Sequence, residues 1–186
     1  MCAAIRDASN LAWKLEAVLR GRADPALLDS YESERSPHVH AFIELAVKLG
    51  DIIQTTDPQA ARERDARFKA GQPEIFHFPA PRLGPGIWQG EQASVAQVFP
   101  QPRLADGRLL DAALGLNFAV IGDAALLDSV SDDTLERWQA QGVVKLPASD
   151  PELQAWLQQH GVRAVMLRPD RYIMGVAQSG SDLDSI

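Results

Sequence analysis

The run Asn117-Phe118-Ala119-Val120-Ile121-Gly122 decides the fold, because a short apolar segment that ends at a glycine is typical of a buried β-strand. A helix with Ser131 as its N-cap is expected next, followed by a second strand over 143–146. Asp150-Pro151 then predicts the start of another helix. This order of strand, helix, strand and helix is typical of an α/β domain.

A β-hairpin is expected near the end of the chain. Two strand-like segments, 164–167 and 172–176, flank Arg168-Pro169-Asp170-Arg171, which has proline at the second turn position as a type I turn prefers. Strand, helix, strand, helix and hairpin is the order of a thioredoxin-like C-terminal half. The sequence therefore predicts a thioredoxin-like α/β domain over 104–186, without a Cys-x-x-Cys pair because Cys2 is the one cysteine.

Residues 1–55 are expected to form helices. An apolar stripe recurs every three or four residues and needs a partner surface; it consists of Ile5, Ala8, Ala12, Leu15 and Leu19. Asp24-Pro25 predicts the start of a second helix, and Pro37 predicts a kink or a restart within it. The apolar pattern runs from Met1 without an N-cap, so we expect an upstream part to be missing.

Residues 56–103 are expected to be a turn-rich connector. Many of the chain's prolines lie here, together with four glycines, Gly71, Gly84, Gly86 and Gly90. The polar run 62–69 predicts a short helix at most. Phe76, Phe78, Ile87 and Trp88 indicate that the connector packs against another part of the protein.

The composition argues against several classes of protein. Of the 186 residues, 46% are hydrophobic and 23% are charged, which is typical of a folded domain. The net charge of −7, without a basic stripe, argues against nucleic-acid binding. No segment reaches the ~18 apolar residues of a membrane span, and no secretory signal follows Met1. A soluble, cytoplasmic protein is expected.

The thiol and the imidazoles give little support for chemistry of their own. Cys2 has no partner thiol and is expected to be a small buried residue. The histidines follow no metal-binding pattern and are expected at the surface or at helix ends, so no metal site is predicted; they are His38, His40, His77 and His160.

Two polar groups in the helical part have alternative interpretations. Glu32, Glu34 and Arg35 are either exposed ion pairs, worth about 0.3–0.5 kcal/mol each, or buried groups that brace the proline kink. Asp7 and Asn10 lie three residues apart on one helical flank. They are either solvated or part of a site that upstream residues complete.

Three blocks of sequence resemble the FAD-dependent aromatic hydroxylases, also called group A flavoprotein monooxygenases. Residues 1–15, MCAAIRDASNLAWKL, are similar to the helix that follows the family's second flavin motif. Tyr31 and Glu34-Arg35-Ser36-Pro37 match its Tyr…Glu-Arg-x-Pro pattern. The third block is similar to the thioredoxin-like domain of phenol-type members, above all 3-(3-hydroxyphenyl)propionate hydroxylases; it consists of Leu109-Leu110-Asp111, 115–122 and Arg168-Pro169-Asp170-Arg171-Tyr172.

The resemblance implies ortho-hydroxylation of a phenolic ring, such as that of 3-(3-hydroxyphenyl)propionate, with FAD, NAD(P)H and O2. It also implies that residues 1–55 are the last helices of the FAD-binding domain, in a C-terminal part begun at an internal methionine. Backbone N–H groups of Met1, Cys2 and Ala3 would contact the flavin edge, and Asp7 and Asn10 would brace that turn. The catalytic residues would lie upstream.

This chain alone is expected neither to bind FAD nor to hydroxylate, because it lacks the Gly-x-Gly-x-x-Gly turn that holds a dinucleotide. Two alternatives stay open: a hydroxylase for another phenol or a polyketide, and a non-catalytic thioredoxin-like assembly module. The apolar stripe of residues 1–55 lacks its usual cover in this chain. It therefore predicts self-association into a homo-oligomer.

Overall fold

The computed structural model of the protein describes residues 2–71 and 81–186. The N-terminal part contains α1 (Cys2–Leu19), a 3₁₀ helix (Pro25–Asp29), α2 (Ser30–Ile53) and α3 (Pro58–Lys69). The C-terminal part contains α4 (Leu110–Leu114), β1 (Ala119–Gly122), α5 (Ala124–Leu127), α6 (Asp132–Gln141), β2 (Val144–Pro147), α7 (Pro151–His160), β3 (Ala164–Leu167), β4 (Ile173–Ala177) and α8 (Gly180–Ser185). Among the helices of these two ranges, none has the length and apolar character to cross a membrane.

The strands form one sheet in the order β2-β1-β3-β4. Strand β1 runs parallel to β2 and antiparallel to β3, and β3 pairs with β4 as an antiparallel hairpin. The predicted α/β fold and its order of strands, helices and hairpin are confirmed. Because side chains alternate between the two faces of a strand, Ile121 packs into one hydrophobic core and Val120 into another.

The two predicted helix starts in this domain differ in how they are capped. Ser131 caps α6 as predicted, since its Oγ accepts a hydrogen bond from the N–H of Thr134 at 3.3 Å. Asp150 precedes α7 but its side chain makes no hydrogen bond to the helix. Its Oδ1 accepts from the N–H of Ala105 instead. The Asp150 carboxylate therefore holds the loop before α4 against the start of α7.

The described C-terminal half of the connector is packed against the sheet. Phe99 is buried in the core that contains Ile121, and its N–H donates to the carbonyl of Arg171 at 2.8 Å. Trp88 packs against the same core, as expected. The expected contacts of Phe76 and Phe78 lie outside the described residues. In the other half of the connector, α3 is longer than the short helix predicted there.

Helix α2 corrects the expectation of a restart at Pro37, because it continues from Ser30 to Ile53 as one helix. Proline has no N–H, so the carbonyl of Ser33 has no partner one turn further along the helix. Gly84 lies against this carbonyl, and a Cβ built on Gly84 would be 2.0 Å from its oxygen. The N–H of Gly84 donates to the carbonyl of Glu34 at 2.9 Å. The segment that contains Gly84 therefore packs against α2 at the turn where Pro37 interrupts the helical hydrogen bonds.

Helix α1 exposes its apolar stripe, as expected for a stripe that this chain leaves uncovered. Ile5 and Leu19 are 61% and 83% exposed, whereas Asn10 and Lys14 are fully buried. Periodicity alone places apolar residues inside. Here the buried face of α1 is polar because the groups that it meets on α2 and on the β3–β4 turn are charged.

Replacing Gly84 by alanine is expected to lower the free energy of unfolding by about 1–3 kcal/mol, as overpacking does. The added methyl would collide with the carbonyl of Ser33 and the ring of Pro37, neither of which can rotate away. Gly50→Ala is the control, because nothing lies within 4 Å of a Cβ at that helical position. Urea unfolding of both variants measures the difference. Equal stability of Gly84→Ala and the unmodified protein would contradict the close approach.

Candidate functional site

Five polar side chains meet between α1, α2 and the β3–β4 turn, and we call them the charge cluster. Asn10 and Lys14 come from α1, Glu34 from α2, and Arg168 and Asp170 from the turn. The first four residues are fully buried, and the side chain of Asp170 is buried as well. Two cations and two carboxylates balance, so the cluster can be buried without a net charge.

Glu34 accepts hydrogen bonds on both carboxylate oxygens. Its Oε2 accepts from Asn10 Nδ2, Lys14 Nζ and Arg168 Nη2 at 2.9, 2.8 and 2.9 Å. Its Oε1 accepts from Arg168 Nη1 and from the N–H of Ile87, both at 2.6 Å. Hydrogen bonds of this kind stabilise the ionised form of a buried carboxylate.

Arg168 joins the two carboxylates of the cluster. Its Nη1 and Nη2 contact Glu34, while Nε and Nη2 donate to Asp170 at 3.0 and 2.6 Å. Nη1 also donates to the carbonyl of Ile87 at 3.2 Å, and the guanidinium carbon lies 5.2 Å from the centre of the Trp13 ring. Such contacts need a planar group with donors in fixed directions, so lysine is not an equivalent replacement.

The groups of the cluster set one another's charges. Burial would raise the pKa of Glu34, but hydrogen bonds and charge from Arg168, with hydrogen bonds from Asn10 and Lys14, lower it to about 2. Burial lowers the pKa of Lys14, and the carboxylate of Glu34 opposes this effect. Burial would also lower the pKa of Arg168, but Asp170 and Glu34 raise it. Glu34 and Arg168 are therefore ionised at neutral pH.

A second buried network lies beside the charge cluster. Arg35 Nε donates to Asp7 Oδ1 at 2.8 Å, and Arg35 Nη1 donates to His38 Nδ1 at 2.9 Å and to the Tyr172 hydroxyl at 3.3 Å. Since Nδ1 accepts, Nε2 of His38 carries the proton and donates to the Tyr172 oxygen at 3.0 Å. Burial, with the positive charges of Arg35 and Arg6, lowers the pKa of His38 to about 4. His38 is therefore neutral at neutral pH.

The structure places four of the five expected site residues on helix α1. Met1 lies outside the described residues, Cys2 is the first residue of α1, and Ala3 is half-buried in the first turn. Asp7 and Asn10 do not form a solvated face, because the first accepts a hydrogen bond from Arg35 and the second donates to Glu34 and Asp170. Both residues therefore tie α1 to its neighbours.

Part of the charge cluster could be predicted from the sequence. Of the three residues with two interpretations, Glu34 and Arg35 are buried, while Glu32 is exposed. Lys14 and Arg168 were missed, since a lone cation in a helix or a turn is usually solvated. A signal for the cluster was available in the sequence: two of the blocks that resemble the hydroxylases contain charged residues, one around Glu34 and one around Arg168.

The histidines need one correction. His38, expected at the surface, is buried beside Arg35 and Tyr172. His160 is exposed and stacks on Trp156 at 4.0 Å, and His77 lies outside the described residues. Across 2–71 and 81–186, no three side chains of the types that bind metals come together.

Two family models match separate parts of the chain. A model described as FAD binding domain matches residues 1–46, which contain α1 and most of α2. A model described as HcaD C-terminal domain matches residues 139–184, which contain β2, β3 and β4. The charge cluster therefore joins the two matched regions.

The chain is similar to curated hydroxylases over most of its length. It is 30% identical to the 3-(3-hydroxy-phenyl)propionate/3-hydroxycinnamic acid hydroxylase of Escherichia coli (strain K12 / DH10B). It is 32% identical to the protein of the same name from Escherichia coli O157:H7 (strain EC4115 / EHEC). Each alignment includes 93% of this chain but 38% of the relative. The chain thus spans about two fifths of the length of the curated relatives it matches.

Solved structures of flavin enzymes share the fold. The rebeccamycin biosynthetic enzyme RebC with reduced flavin superposes with a TM-score of 0.69 at 21% identity, covering 99% of this chain and 41% of that chain. The OxyS anhydrotetracycline hydroxylase from Streptomyces rimosus gives 0.64 at 26% identity, covering 95% and 37%. The expected resemblance to FAD-dependent hydroxylases is confirmed.

Proposed function

We propose that this chain is part of an FAD-dependent monooxygenase that hydroxylates a phenolic ring, such as that of 3-(3-hydroxyphenyl)propionate, with NAD(P)H and O2. The observation that carries the proposal is the alignment of 93% of the chain with hydroxylases that act, by name, on this kind of substrate. The match of residues 1–46 to an FAD binding domain supports FAD as the cofactor.

Helix α1 supplies the flavin contacts in this proposal. It begins at Cys2 and carries no acidic side chain in its first turn. The first N–H groups of a helix have no partner inside it, and the helix dipole makes that end positive. The backbone N–H groups of Cys2 and Ala3 therefore suit an electron-rich edge of the flavin, and the resemblance to the hydroxylases adds that of Met1. FAD supplies the redox chemistry when bound. Asp7 and Asn10 hold the helix in place.

Two alternatives have a specific observation in their favour. A hydroxylase for another phenol or a polyketide is favoured by the likeness to the anhydrotetracycline hydroxylase at 26% identity. A non-catalytic assembly module is favoured by the thioredoxin-like strand order in a chain with a single cysteine.

The test uses the longest open reading frame that contains this chain. The purified longer protein is expected to bind FAD and to oxidise NADH or NADPH faster when 3-(3-hydroxyphenyl)propionate is added, with one oxygen atom gained by the product in mass spectrometry. A panel of phenols and a tetracyclic polyketide separates the substrate classes. A protein that binds no FAD would support the assembly module instead. Cys2→Ser is expected to retain FAD, because the proposed contact is through the backbone.

The 186-residue chain alone is expected not to bind FAD. Adenosine and pyrophosphate recognition needs a glycine-rich turn between a strand and a helix, which this sequence lacks. One edge of the flavin ring offers too few contacts to offset the entropy of binding so large a cofactor. Titration with FAD, followed by flavin fluorescence, measures this. Saturable quenching in the micromolar range would contradict the expectation.

The purified chain is expected to self-associate through the apolar stripe of α1, because apolar side chains clustered on one exposed face favour association. Ile5, Leu15 and Leu19 are all exposed on that face. Leu19→Glu should shift the mass measured by light scattering towards the monomer. Leu116→Glu is the matched control, since Leu116 is equally exposed but lies in the loop before β1. A monomeric unmodified chain that binds no hydrophobic dye would show this prediction to be wrong.

A further inference from the structure

We propose that Arg168 is a positioning residue for the flavin: through Glu34 and Asp170 it fixes helix α1 relative to the α/β domain, and it thereby sets the affinity for FAD. This inference rests on the proposed function. It concerns a residue that lies on the β3–β4 turn, far along the chain from the start of α1.

The contacts between Arg168 and Glu34 join the two regions that the family models match. Glu34 belongs to the region matched by the FAD binding domain model, and Arg168 belongs to the region matched by the HcaD C-terminal domain model. Their two hydrogen bonds, at 2.6 and 2.9 Å, are fully buried and span 134 positions of sequence. One arginine of the C-terminal region thus holds the helical region directly.

The contacts of Arg168 are directional. Apolar surfaces can slide against one another, whereas an arginine paired with two carboxylates fixes both distance and angle. Asp170 also accepts from Asn10 Nδ2 at 3.0 Å, and Lys14 Nζ donates to Glu34 at 2.8 Å. Asn10 and Lys14 are one helical turn apart, so α1 is held at two points along its length.

Helix α1 transmits this constraint to its first turn. At about 1.5 Å per residue, Asn10 lies only ~10 Å from the first turn, where the flavin contact is proposed. Without the contacts of the charge cluster, α1 would be held by the Arg35–Asp7 ion pair at 2.8 Å and could tilt about it, which would move its first turn. Because coupling between two sites is reciprocal, FAD would in turn stabilise the docked arrangement.

The experiment measures FAD affinity and the visible flavin spectrum in the longer protein. Arg168→Met is expected to raise the dissociation constant for FAD by about tenfold or more and to alter the flavin absorption bands. Arg168→Lys keeps the positive charge but loses the planar guanidinium with its two parallel donors. The FAD affinity of this variant should therefore lie between those of Arg168→Met and the unmodified protein. Leu153→Ala is the control for stability, because Leu153 is buried in the core of the α/β domain, outside the charge cluster.

The outcomes separate positioning from general destabilisation. A positioning role predicts that Leu153→Ala lowers the melting temperature but keeps the dissociation constant within about twofold at a temperature where it is folded. Unchanged FAD affinity in Arg168→Met, or an equal loss in Leu153→Ala, would overturn the inference. If Arg168→Met does not fold, Asp170→Asn is measured in its place. This variant is expected to bind FAD about threefold more weakly, and an unchanged affinity would overturn the inference. Failure of the unmodified longer protein to bind FAD would instead reject the proposed function.

Discussion

Replacing Arg168 by methionine is expected to lower the free energy of unfolding of this chain by about 3–5 kcal/mol, the range found when one partner of a buried ion pair is removed. Methionine keeps much of the apolar stem but removes the hydrogen bonds to Glu34 and Asp170. Two buried carboxylates then face a single cation, Lys14, which contacts Glu34. The unbalanced negative charge in the interior accounts for the size of the effect.

The matched control is Arg163→Met. Arg163 pairs with Asp123 at 3.1 Å, but both side chains are about half exposed, so its loss should change stability by no more than about 0.5 kcal/mol. Urea unfolding measures both variants. Glu34→Gln completes a double-mutant cycle with Arg168→Met, in which a coupling of about 1–3 kcal/mol is expected for residues in contact. A loss in Arg168→Met no larger than that in Arg163→Met would rule out a buried ion pair.

The α/β domain could be predicted from the sequence because its signals are local. Ser131 and the helix that it caps are neighbours, and the turn at Arg168 lies between two strands that pair with each other. The predicted turn forms, with the N–H of Arg171 donating to the carbonyl of Arg168 at 2.9 Å. Each of these elements is specified by a few adjacent residues. The hydrophobic pattern and the residues at the turns were therefore sufficient to predict this domain.

The charge cluster could not be predicted from such signals. Glu34 and Arg168 are 134 positions apart, and no periodicity links them. The same limit applies to the buried face of α1: an apolar stripe shows that one face of the helix is apolar, but not which groups bury the opposite face. Lys14 and Asn10 face charged partners instead, so they are buried and the stripe is exposed. Which face of a helix is buried depends on tertiary contacts, and the sequence of that helix alone does not specify them.

Acidification from pH 7 to pH 4.5 is expected to reduce the free energy of unfolding by roughly 2–3 kcal/mol through His38 alone. In the folded protein the pKa of His38 is about 4, against an ordinary value of 6.5. Between these values the unfolded chain binds a proton at this position and the folded chain does not. The contribution is therefore complete above pH 6.5 and is lost as the pH falls towards 4.

Glu34 contributes in a lower range of pH. Its pKa is lowered from 4.5 to about 2, despite burial, by Arg168 and the other donors. A carboxylate of this kind stabilises the fold above its ordinary pKa, and the contribution is lost as the pH falls from about 4.5 towards 2. Measurements above pH 4.5 therefore separate His38 from Glu34.

The variant His38→Gln tests the assignment, since glutamine does not titrate. It is expected to be less stable than the unmodified protein at pH 7, because it disturbs the contacts with Arg35 and Tyr172, but to lose little more stability down to pH 4.5. His40→Gln is the control: His40 lies on the same helix with an exposed side chain, so its variant should keep the full pH dependence. Urea unfolding at intervals between pH 7 and pH 4.5 gives the slope of the free energy of unfolding against pH for the unmodified protein and for each of the two variants. Equal slopes would mean that His38 has the same pKa in the folded and the unfolded protein, which would contradict its burial beside Arg35.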